Sequence, residues 1–540
     1  MSPESIAPTE PNSPTAVAGP WTPLRQPSFR YFWLAILLSN IGTWMHDVAA
    51  AWLMAETTGS AFMVAAVQSA TTLPMVVLAI AAGALADVVD RRRYLLLAQF
   101  WMLLSASGLA LLAHFGSVGS WTLLLFTFSL GIGAAMSLPA QQATTPELVP
   151  RTMLGSAVAL GSLSINIARS IGPALGGLIV AHWGVAWAFT LNAFSFLGLL
   201  LVLLYWRRAP STSALPPESF GAALRAGLRY AAQAAVFQAV LWRSAAFFVF
   251  ASALTALLPI IVKQDLQAGA TAYGFLLACI GVGAIAGAVL LPRLRQRVGA
   301  DSLVFCATLT YAACMVALAW VRSIPVLALV FFLNGFAWIT VLSSLQIVAQ
   351  TAVPAWVRAR ALSLYIVVFS AGMALGSLGW GALAQLQSHA FALMAAALGT
   401  VVAALLSRRF RLDAAATLDA TPSRHWPEPM AAGEIAHDRG PVLVTVEYEV
   451  ALEHRVEFLQ RMQALGRSRR RDGAYTWGVV EDTARPGVYL EYFLTPSWLE
   501  HQRQHERVTH DDRQLQAHVR ELHLGAAAPV VRHLVGGRPQ

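Results

Sequence analysis

The chain contains 540 residues, of which 57% are hydrophobic and only 12% are charged. Soluble globular domains are close to half apolar and a quarter charged, so this composition excludes a single soluble domain and indicates a membrane protein. The formal net charge of +9 raises the alternative of a nucleic-acid partner. The arginines lie beside apolar segments, however, which favours a role in membrane topology and predicts that the protein binds no nucleic acid.

The first 27 residues are rich in proline, serine and threonine. Such a segment cannot bury enough apolar surface to fold alone. It also lacks the basic start and short apolar core of a cleaved signal peptide. Residues 1–27 are therefore predicted to form a disordered cytoplasmic tail.

Twelve apolar stretches follow, each near the roughly 20 residues that a helix needs to cross a bilayer. Because backbone amides find no water in lipid, spans this closely spaced can only be helices. The stretches lie near residues 31–55, 61–86, 94–115, 121–140, 153–181, 185–206, 244–262, 271–292, 302–321, 325–349, 359–386 and 390–407.

Arginine and lysine are distributed unevenly over the connections between these stretches. Alternate connections hold nearly all of them, from the Arg91–Arg93 cluster to the exit run Arg408–Arg411, whereas the opposite connections hold little beyond Lys263 and Arg322. Positively charged loops remain in the cytoplasm. The protein is therefore predicted to lie in a bacterial inner membrane with both termini and the arginine-rich turns cytoplasmic.

The apolar region contains an internal repeat at a constant shift of 204 positions. Residues 28–206 and 244–410 are therefore predicted to be two copies of a six-helix bundle, an arrangement in which transporters bind cargo between the repeats near mid-membrane. The related pairs are Gly83 and Gly287, Arg91 and Arg295, Arg93 and Arg297, Gly131 and Gly335, Gln142 and Gln346, Pro150 and Pro354, Ala157 and Ala361, Gly172 and Gly376, and Gly177 and Gly381.

The segment between the bundles, 207–243, begins with prolines and continues with an amphipathic pattern. Leu224 and Leu228 share one helical face, and Arg225 and Arg229 share another. This pattern predicts a cytoplasmic linker whose helix lies on the inner leaflet.

A second linker, 411–440, leads into a polar segment, 441–540, with a different periodicity. Apolar and polar residues alternate from Val442 to Val450, which is typical of a half-buried strand. A helix follows, then strands over 475–483 and 488–495, helical sequence over 498–523, and a last strand over 529–535. This β-α-β-β-α-β order predicts a small soluble α+β domain of the ferredoxin-like type.

The stretch from Gly83 to Leu95 resembles the cytoplasmic signature of the major facilitator superfamily. Val88 and Asp90 stand where that signature has arginine and glycine. The resemblance implies that Asp87 caps a helix of the second half and helps to hold the outward-open state, since a carboxylate is stabilised at a helix N-terminus. The arginines either share this switch or serve topology alone. The matching residues are Gly83, Leu85, Asp87, Arg91, Arg92 and Leu95.

The fifth stretch contains Gly172, Pro173, Gly176 and Gly177, which resemble a signature of exporters in the same superfamily, with Ala168 in place of a usual glycine. Small residues one turn apart let helices approach closely, and proline permits a bend. The signature therefore implies a helix-packing motif with a mechanical role.

Within the superfamily the chain is similar to the transmembrane secretion effector and siderophore (enterobactin-type) exporter group. The segments Asn40–Met45 and Thr58–Ser60, and Val353-Pro354 followed by Arg358 and Arg360, carry this resemblance. The C-terminal segment resembles the dimeric α+β barrel of antibiotic-biosynthesis monooxygenases, which some members carry as a tail.

Asp47 is a costly ionisable residue in the first apolar stretch, beside His46. Asn40, Thr43 and Asp47 share one helical face. We expect either a protonatable carboxylate that couples cargo to protons or a carboxylate solvated near the outer end of the span. His46 points about 100° away and either shares the proton role or packs with a hydrogen bond.

Arg169 lies near the middle of the fifth stretch, three residues after Asn166. A guanidinium there contacts an anionic cargo or Asp47, or it belongs to a structural ion pair. Thr127 and Phe128 occupy positions where proton-driven exporters often carry an arginine, which weakens the case for proton coupling.

His501 and His505 have an i, i+4 spacing that a metal could use, but their charged neighbours favour a solvated helix face. We therefore predict neither a metal nor a cofactor, and the chain has no motif of a catalytic nucleophile or phosphate loop.

The sequence thus predicts an all-α membrane protein of the major facilitator fold, with a small C-terminal α+β domain and no enzyme activity. Its expected function is proton-coupled export of a small organic molecule, such as a siderophore, drug or secondary metabolite, by alternating access. Small-molecule substrate, protons and the lipid bilayer are the expected partners, with self-association through 441–540. The alternatives are an importer and a permease fused to a catalytic monooxygenase-like domain.

Overall fold

The structure is a computed structural model. It describes residues 21–150, 153–206, 220–354, 356–413, 435–525 and 527–537, together with positions 419, 421–423, 425–427 and 433. Most of the predicted N-terminal tail, the proline-rich start of the 207–243 linker and much of the second linker lie outside these residues.

In the residues that the structure describes up to 407, thirteen α-helices follow a short 3-10 helix, Thr22–Arg25. They are α1 Pro27–Thr58, α2 Ala61–Val88, α3 Arg91–His114, α4 Ser120–Leu148, α5 Leu154–Trp183, α6 Val185–Tyr205, α7 Phe220–Gln233, α8 Ala235–Gln264, α9 Ala270–Val298, α10 Ala300–Trp320, α11 Ile324–Thr351, α12 Arg358–Leu386 and α13 His389–Ser407.

Eleven helices in the described part of the chain are long and apolar enough to cross a membrane. Helix α1 has 32 residues but is not among them, and α7 has only 14. Several helices extend beyond their predicted apolar stretch, because a helix continues to form its own hydrogen bonds past the hydrocarbon region.

Asp90, in the signature turn between α2 and α3, departs from the superfamily signature for a structural reason. Asp90, which stands where the signature has glycine, accepts a hydrogen bond of 2.9 Å from the backbone nitrogen of Arg93. It is therefore the N-cap of α3, a position at which aspartate is among the preferred residues.

The internal repeat appears in the structure as a repeat of contacts within each half. A β-carbon added to Gly172 in α5 would lie 2.5 Å from the Trp44 β-carbon in α1. A β-carbon added to Gly376 in α12 would lie 3.1 Å from the Val249 carbonyl carbon in α8. Val249 is one residue from the position that the shift of 204 assigns to Trp44, so equivalent glycines bring equivalent helices together.

A second pair of equivalent glycines brings the two halves into contact with each other. A β-carbon at Gly177 in α5 would lie 2.8 Å from the carbonyl oxygen of Ala270, the first residue of α9. A β-carbon at Gly381 in α12 would lie 3.1 Å from the carbonyl oxygen of Ala61, the first residue of α2. In each half, one glycine therefore packs against the first residue of a helix in the other half.

Hydrogen bonds between the halves lie near the same end of the bundle. Lys263 Nζ donates to the Ala55 carbonyl at 2.8 Å, and Gln264 Nε2 donates to the Gly59 carbonyl at 3.0 Å. The backbone nitrogen of Ala61 donates to a side-chain oxygen near the end of α12, at 2.9 Å. The halves thus meet at the end that carries the α1–α2 turn, which we call the closed end.

The C-terminal segment folds around a four-stranded antiparallel sheet. Its strand order is β2-β3-β1-β4, with pairing of β1 to both β3 and β4. The elements are β1 Val442–Glu449, α14 Arg455–Asp472, β2 Thr476–Glu481, β3 Val488–Thr495, α15 Trp498–Arg507, α16 His510–Arg520 and β4 Val530–Val535.

The helical sequence predicted over 498–523 is two helices rather than one. Thr509 begins α16 with a capping box, in which its hydroxyl accepts from the Asp512 backbone and the Asp512 carboxylate accepts from the Thr509 backbone. Such a cap satisfies backbone donors at a new helix start, so α15 ends at Arg507.

Helix α7 packs between the membrane bundle and the C-terminal segment. The pattern predicts that Leu228 lies on the face toward the leaflet, and protein leaves this residue 47% exposed, whereas Ala226 and Tyr230 are buried. The Tyr230 hydroxyl donates to the Ala352 carbonyl at 2.8 Å at the end of α11. Arg229 contacts Glu500 of α15 at 3.3 Å. Protein contacts thus cover the face that the sequence pattern did not select.

We expect Gly177→Leu to separate the halves at the closed end, because its side chain would occupy the space of the Ala270 carbonyl. The contact can be measured by bismaleimide cross-linking of a pair, Ala61→Cys and Gln385→Cys, in a background without the native cysteines. The cross-linking yield is expected to fall several-fold.

The matched control is Gly198→Leu in α6, because no described atom beyond its own stretch of helix lies within 4 Å of a β-carbon added there. This change should leave the yield as it is. An unchanged yield in Gly177→Leu would contradict the proposed role of Gly177 at this contact.

Candidate transport pathway

A central cavity of about 320 Å³ lies between the two halves. Helices α1, α2 and α5 line it from the first half, and α8 to α12 line it from the second. Its walls combine aromatic rings with a few polar groups. The aromatic residues are Trp44, Tyr273, Tyr311, Trp338 and Phe369, and the polar and charged ones include Asp47, Gln68, Thr71, Arg169, Thr255 and Asn334.

Asp47 borders the central cavity and also a smaller cavity of about 40 Å³ inside the first half. Among the described residues, its carboxylate has no hydrogen-bond or ion-pair partner. A carboxylate in an apolar span is costly unless it faces a water-accessible space or a partner. The position of Asp47 between two cavities meets the first of these conditions.

The smaller cavity contains buried polar atoms that have no partner in the described part of the chain. These atoms are both ring nitrogens of His46, the hydroxyl of Thr127 and the carbonyl oxygen of the Asn192 side chain. His46 is 2% exposed and packs its ring 5.1 Å from that of Phe189. His46 thus faces α6 rather than the central cavity, yet it shares the smaller cavity with Asp47.

Arg169 extends from α5 into the central cavity. Its Nε and Nη1 atoms are buried and have no hydrogen-bond partner among the described residues. Its guanidinium carbon lies 5.5 Å from the centre of the Trp44 ring, a cation–π distance. The alternative of an ion pair with Asp47 is not realised in this conformation, so an arginine and an aspartate face the same cavity separately.

Two other predicted residues do not line either cavity. Asn166 donates from its side chain to the Ser162 carbonyl at 2.9 Å on its own helix, and Asn40 is absent from both cavity linings. Helical spacing had placed Asn40 with Asp47, but seven residues span nearly two turns along the axis. Asn40 therefore lies at a different depth.

The arginines of the signature turn make contacts within the first half. Arg91 pairs with Glu147 of α4 at 2.7 Å. Arg92 donates to the Leu203 and Leu204 carbonyls at 2.7 and 2.6 Å. A cation is favourable at the C-terminal end of a helix, so Arg92 caps α6. Gly83 lies within α2, and the Asp87 side chain lies outside the described part of the structure.

The exporter signature lies at two interfaces of α5. Gly172 and Gly176 face α1 inside the first half, where a β-carbon at Gly176 would lie 3.0 Å from the α-carbon of Met45. Gly177 faces α9 across the halves, and Pro173 lines the central cavity. Residues of this short motif thus take part in helix packing within the first half, in the contact at the closed end and in the wall of the central cavity.

Sequence reasoning missed much of the polar lining. Gln68, Thr255 and Asn334 lie in the cavity, but each is a single uncharged residue in an apolar stretch. Asn334 has a weak sequence signal, because it precedes Gly335 of the repeat. Among the tryptophans of the spans, Trp44 and Trp338 line the cavity, whereas the Trp380 ring nitrogen donates to the Val249 carbonyl at 2.7 Å.

The C-terminal segment contains a buried ion pair. Arg469 Nε lies 3.0 Å from Glu491 Oε1, and Glu491 is 0% exposed. The carboxylate also accepts from the Trp477 ring nitrogen at 3.0 Å and the Tyr448 hydroxyl at 3.3 Å. Every oxygen of the buried carboxylate is therefore hydrogen-bonded, the condition under which burial of charge is tolerated.

His501 and His505 were predicted to lie on a solvated helix face, and the structure differs. His501 is 0% exposed and His505 is half-buried, because α15 packs this face against the sheet. Burial, reinforced by the nearby His533, lowers the pKa of His501 to about 3 and that of His505 to about 4. Both rings are therefore neutral near pH 7.

The arrangement of two helical halves around a central cavity is that of the major facilitator superfamily, and known structures share it. The chain superposes on a POT family transporter in complex with 5-aminolevulinic acid with a TM-score of 0.59, at 12% identity, over 71% of this chain and 95% of that one. It superposes on a D-xylose-proton symporter with a TM-score of 0.55, at 16% identity, over 71% of this chain and 97% of that one. These likenesses show the fold.

Sequence comparison identifies the family. Residues 18–540 match the family described as transmembrane secretion effector, and the chain belongs to this family of the major facilitator superfamily. It is 28% identical over 403 residues to the enterobactin exporter EntS of Escherichia coli O1:K1 / APEC, covering 71% of this chain and 94% of that protein. The protein is thus a multi-pass membrane transporter of small molecules rather than an enzyme, as the sequence predicted.

We expect Glu491→Gln to destabilise the C-terminal segment by about 3–5 kcal/mol, because it leaves the buried Arg469 charge without its counter-charge. Pulse proteolysis of the full chain in urea, with the C-terminal fragment identified by mass spectrometry, measures the change. Glu447→Gln is the control, because it removes only the exposed pair with Arg485 and should change stability little. Equal shifts in the two variants would contradict the importance of the buried pair.

Proposed function

We propose that the protein exports a small organic anion from the cytoplasm across the bacterial inner membrane, by alternating access coupled to protons. Siderophores and other aromatic secondary metabolites are the favoured cargo class. The observation that carries this proposal is the central cavity between the halves, which Asp47 and Arg169 both line without a hydrogen bond or ion pair to any residue that the structure describes.

The chemistry of the cavity favours an amphipathic anion. Arg169 offers two buried nitrogens that lack acceptors, and a guanidinium binds carboxylate or phenolate oxygens well. The rings of Trp44, Tyr273 and Trp338 supply flat apolar surface for an aromatic cargo. The name of the relative EntS, an enterobactin exporter, agrees with this class of cargo but does not fix the compound.

Asp47 is the proposed proton carrier. It borders the central cavity on one side and the small polar cavity with His46 on the other. Ionisation of Asp47 changes the net charge of the cavity that receives the cargo, and proton-driven export requires that proton and cargo be carried in alternate steps. Proton binding and cargo binding can therefore influence each other without direct contact. Asn40 and Asn166 are proposed to have no direct part in coupling.

The conformation supports an inward-facing state. The closed end carries the α1–α2 turn, and the arginine-rich turns lie at the opposite ends of the helices. If these turns are cytoplasmic, as the charge distribution predicts, the contact at Gly177 and Gly381 closes the outer side. We propose twelve spans, with α1 as the first, since α1 lines the cavity through Asp47 and so lies within the bundle.

The signature turn is proposed to act in the opposite state. Asp87 would cap a helix of the second half when the inner side closes, while Arg91 and Arg92 hold α3 against α4 and α6 through the contacts described above. The packing motif from Gly172 to Gly177 would serve as the mechanical element that closes the outer side.

The segment 441–540 is proposed to be a ferredoxin-like domain related to the dimeric α+β barrels of antibiotic-biosynthesis monooxygenases. The strand order β2-β3-β1-β4 supports this relation. The sheet also exposes apolar side chains of β4, with Val530 53%, Val531 50% and Leu534 52% exposed, which favours self-association. The proposed role of this segment is regulatory or docking.

We expect Arg169→Ala to weaken export about 10- to 100-fold, because a hydrogen bond to a charged group contributes about 1.5–3 kcal/mol. Uptake of enterobactin into everted membrane vesicles measures the outward-directed flux. Arg293→Ala, an exposed arginine near the end of α9, is the matched control and should transport normally. Normal uptake by Arg169→Ala would refute the role of Arg169, and accumulation in the opposite direction would favour the importer.

We expect Asp47→Asn to abolish the dependence of this flux on the proton gradient, because the amide cannot exchange a proton. Vesicles energised by respiration, with and without a protonophore, test this dependence. Glu56→Gln is the control, since Glu56 is exposed and its carboxylate accepts from the Trp52 ring nitrogen at 2.7 Å. A protonophore effect that persists in Asp47→Asn would exclude Asp47 as the coupling residue.

A further inference from the structure

Three histidines of the C-terminal domain converge on one point. His501 and His505 extend from α15, and His533 comes from β4. Each offers one ring nitrogen, and these three atoms lie within 4.8 Å of one another. We propose that His501, His505 and His533 bind a first-row transition metal ion, with Zn²⁺ as the ion that their geometry fits best.

The separation of two nitrogens matches a metal site. His501 Nε2 and His505 Nε2 lie 3.3 Å apart. Two nitrogens bound to one tetrahedral Zn²⁺ at about 2.0–2.1 Å lie about 3.3–3.4 Å apart. The i, i+4 spacing on α15 therefore already places two ligands correctly, and the third nitrogen needs a shift of about an ångström or two.

The fold directs His533 to the same place. In the register of the sheet, His533 lies opposite Val444 of β1, and directly opposed residues share a face of the sheet. Val444 is 2% exposed and packs with Trp498 of α15. His533 thus lies on the face that α15 covers, which is why a residue far along the chain meets the two helical histidines.

The surroundings suit neutral imidazole ligands. His501 packs 5.6 Å from the Trp498 ring, and His505 packs 4.8 Å from the Trp426 ring. Imidazole is a ligand for Zn²⁺, Cu²⁺, Ni²⁺ and Fe²⁺, and the burial that keeps these rings uncharged leaves their nitrogen lone pairs free. Three protein ligands leave a fourth position for water.

The nearby positive charge does not oppose a cation. Arg469 is the charged group of α14 that influences these histidines, but it forms the buried pair with Glu491 at 3.0 Å. The pair has no net charge, so a divalent ion does not meet an uncompensated cation.

An outer acceptor for one ligand is also present. His501 Nδ1 and Gln504 Oε1 are both buried and both lack a partner in the described residues. Gln504 lies one turn further along α15, so a small rotation would let it accept from His501 Nδ1. Metal-bound histidines almost always donate their second nitrogen in this way.

The test uses the full chain in detergent, because α15 is also held by the contact between Glu500 and Arg229 of α7. The protein is stripped with a chelator, reloaded with Zn²⁺ and desalted, and its metal content is measured by mass spectrometry. We expect about one ion per chain. His505→Gln and His533→Gln should weaken Zn²⁺ binding about 100-fold or more, and His518→Gln, at an exposed position, should bind normally.

A second measurement needs no variant. Zn²⁺ should protect His505 and His533 of the unaltered protein from modification by diethylpyrocarbonate, while His518 reacts equally with and without the ion. Replacement by Co²⁺ should give the intense visible absorption of a tetrahedral site. The proposal would be overturned if His505, His533 and His518 were each modified to the same extent with and without Zn²⁺. Equal Zn²⁺ content in His533→Gln and the unaltered protein would also overturn it and indicate adventitious metal only.

Discussion

Close approach of helices at glycine is the constraint on which the membrane part of this protein depends. Helices in lipid gain little from the hydrophobic effect, because lipid is as apolar as their own side chains, and they associate through packing instead. Gly172 and Gly376 bring helices together within each half, and Gly177 and Gly381 bring the halves together. A side chain at any of these positions would meet the neighbouring helix. The repeat in the sequence therefore corresponds to a repeat of glycine-mediated helix contacts in the structure.

The same apolar surroundings make the unpaired polar atoms informative. Most hydroxyl groups in the bundle bond to their own helix, as Thr144 does to the Ala140 carbonyl at 2.8 Å and Thr308 to the Val304 carbonyl at 2.7 Å. These bonds cost the fold little and need no neighbour. Asp47 and Arg169 depart from this pattern, and both do so at a cavity. Lipid would not tolerate them unpaired, which is why the proposed transport path runs past these two side chains.

Much of this organisation was predictable because it depends on local sequence. The length of the apolar stretches indicates the membrane spans, and the constant spacing of glycines indicates the repeat. The alternation of apolar and polar residues indicates strands such as β1. Relations between distant elements were not predictable. Helical spacing describes a residue relative to its own axis, so it grouped Asn40 with Asp47 but could not show their depths. The spacing also placed His505 on a solvated face. No residue near His505 in the chain indicates that a sheet covers α15 or that His533 lies close by. For α7, the pattern indicated an apolar face but could not show that Ala226 and Tyr230 are buried by the rest of the chain.

The position of the C-terminal domain limits how it can affect transport. Its described contacts with the rest of the chain include the pair of Arg229 with Glu500 at 3.3 Å, and the stacking of Arg507 on Trp356 at 4.3 Å, just before α12. Helix α7 is itself anchored to the end of α11 through Tyr230. These partners all belong to the second half or to the helix attached to it. Rocking of the first half against the second therefore need not break them. In this conformation the described contacts attach the C-terminal segment to the second half, so they do not clamp the two halves together.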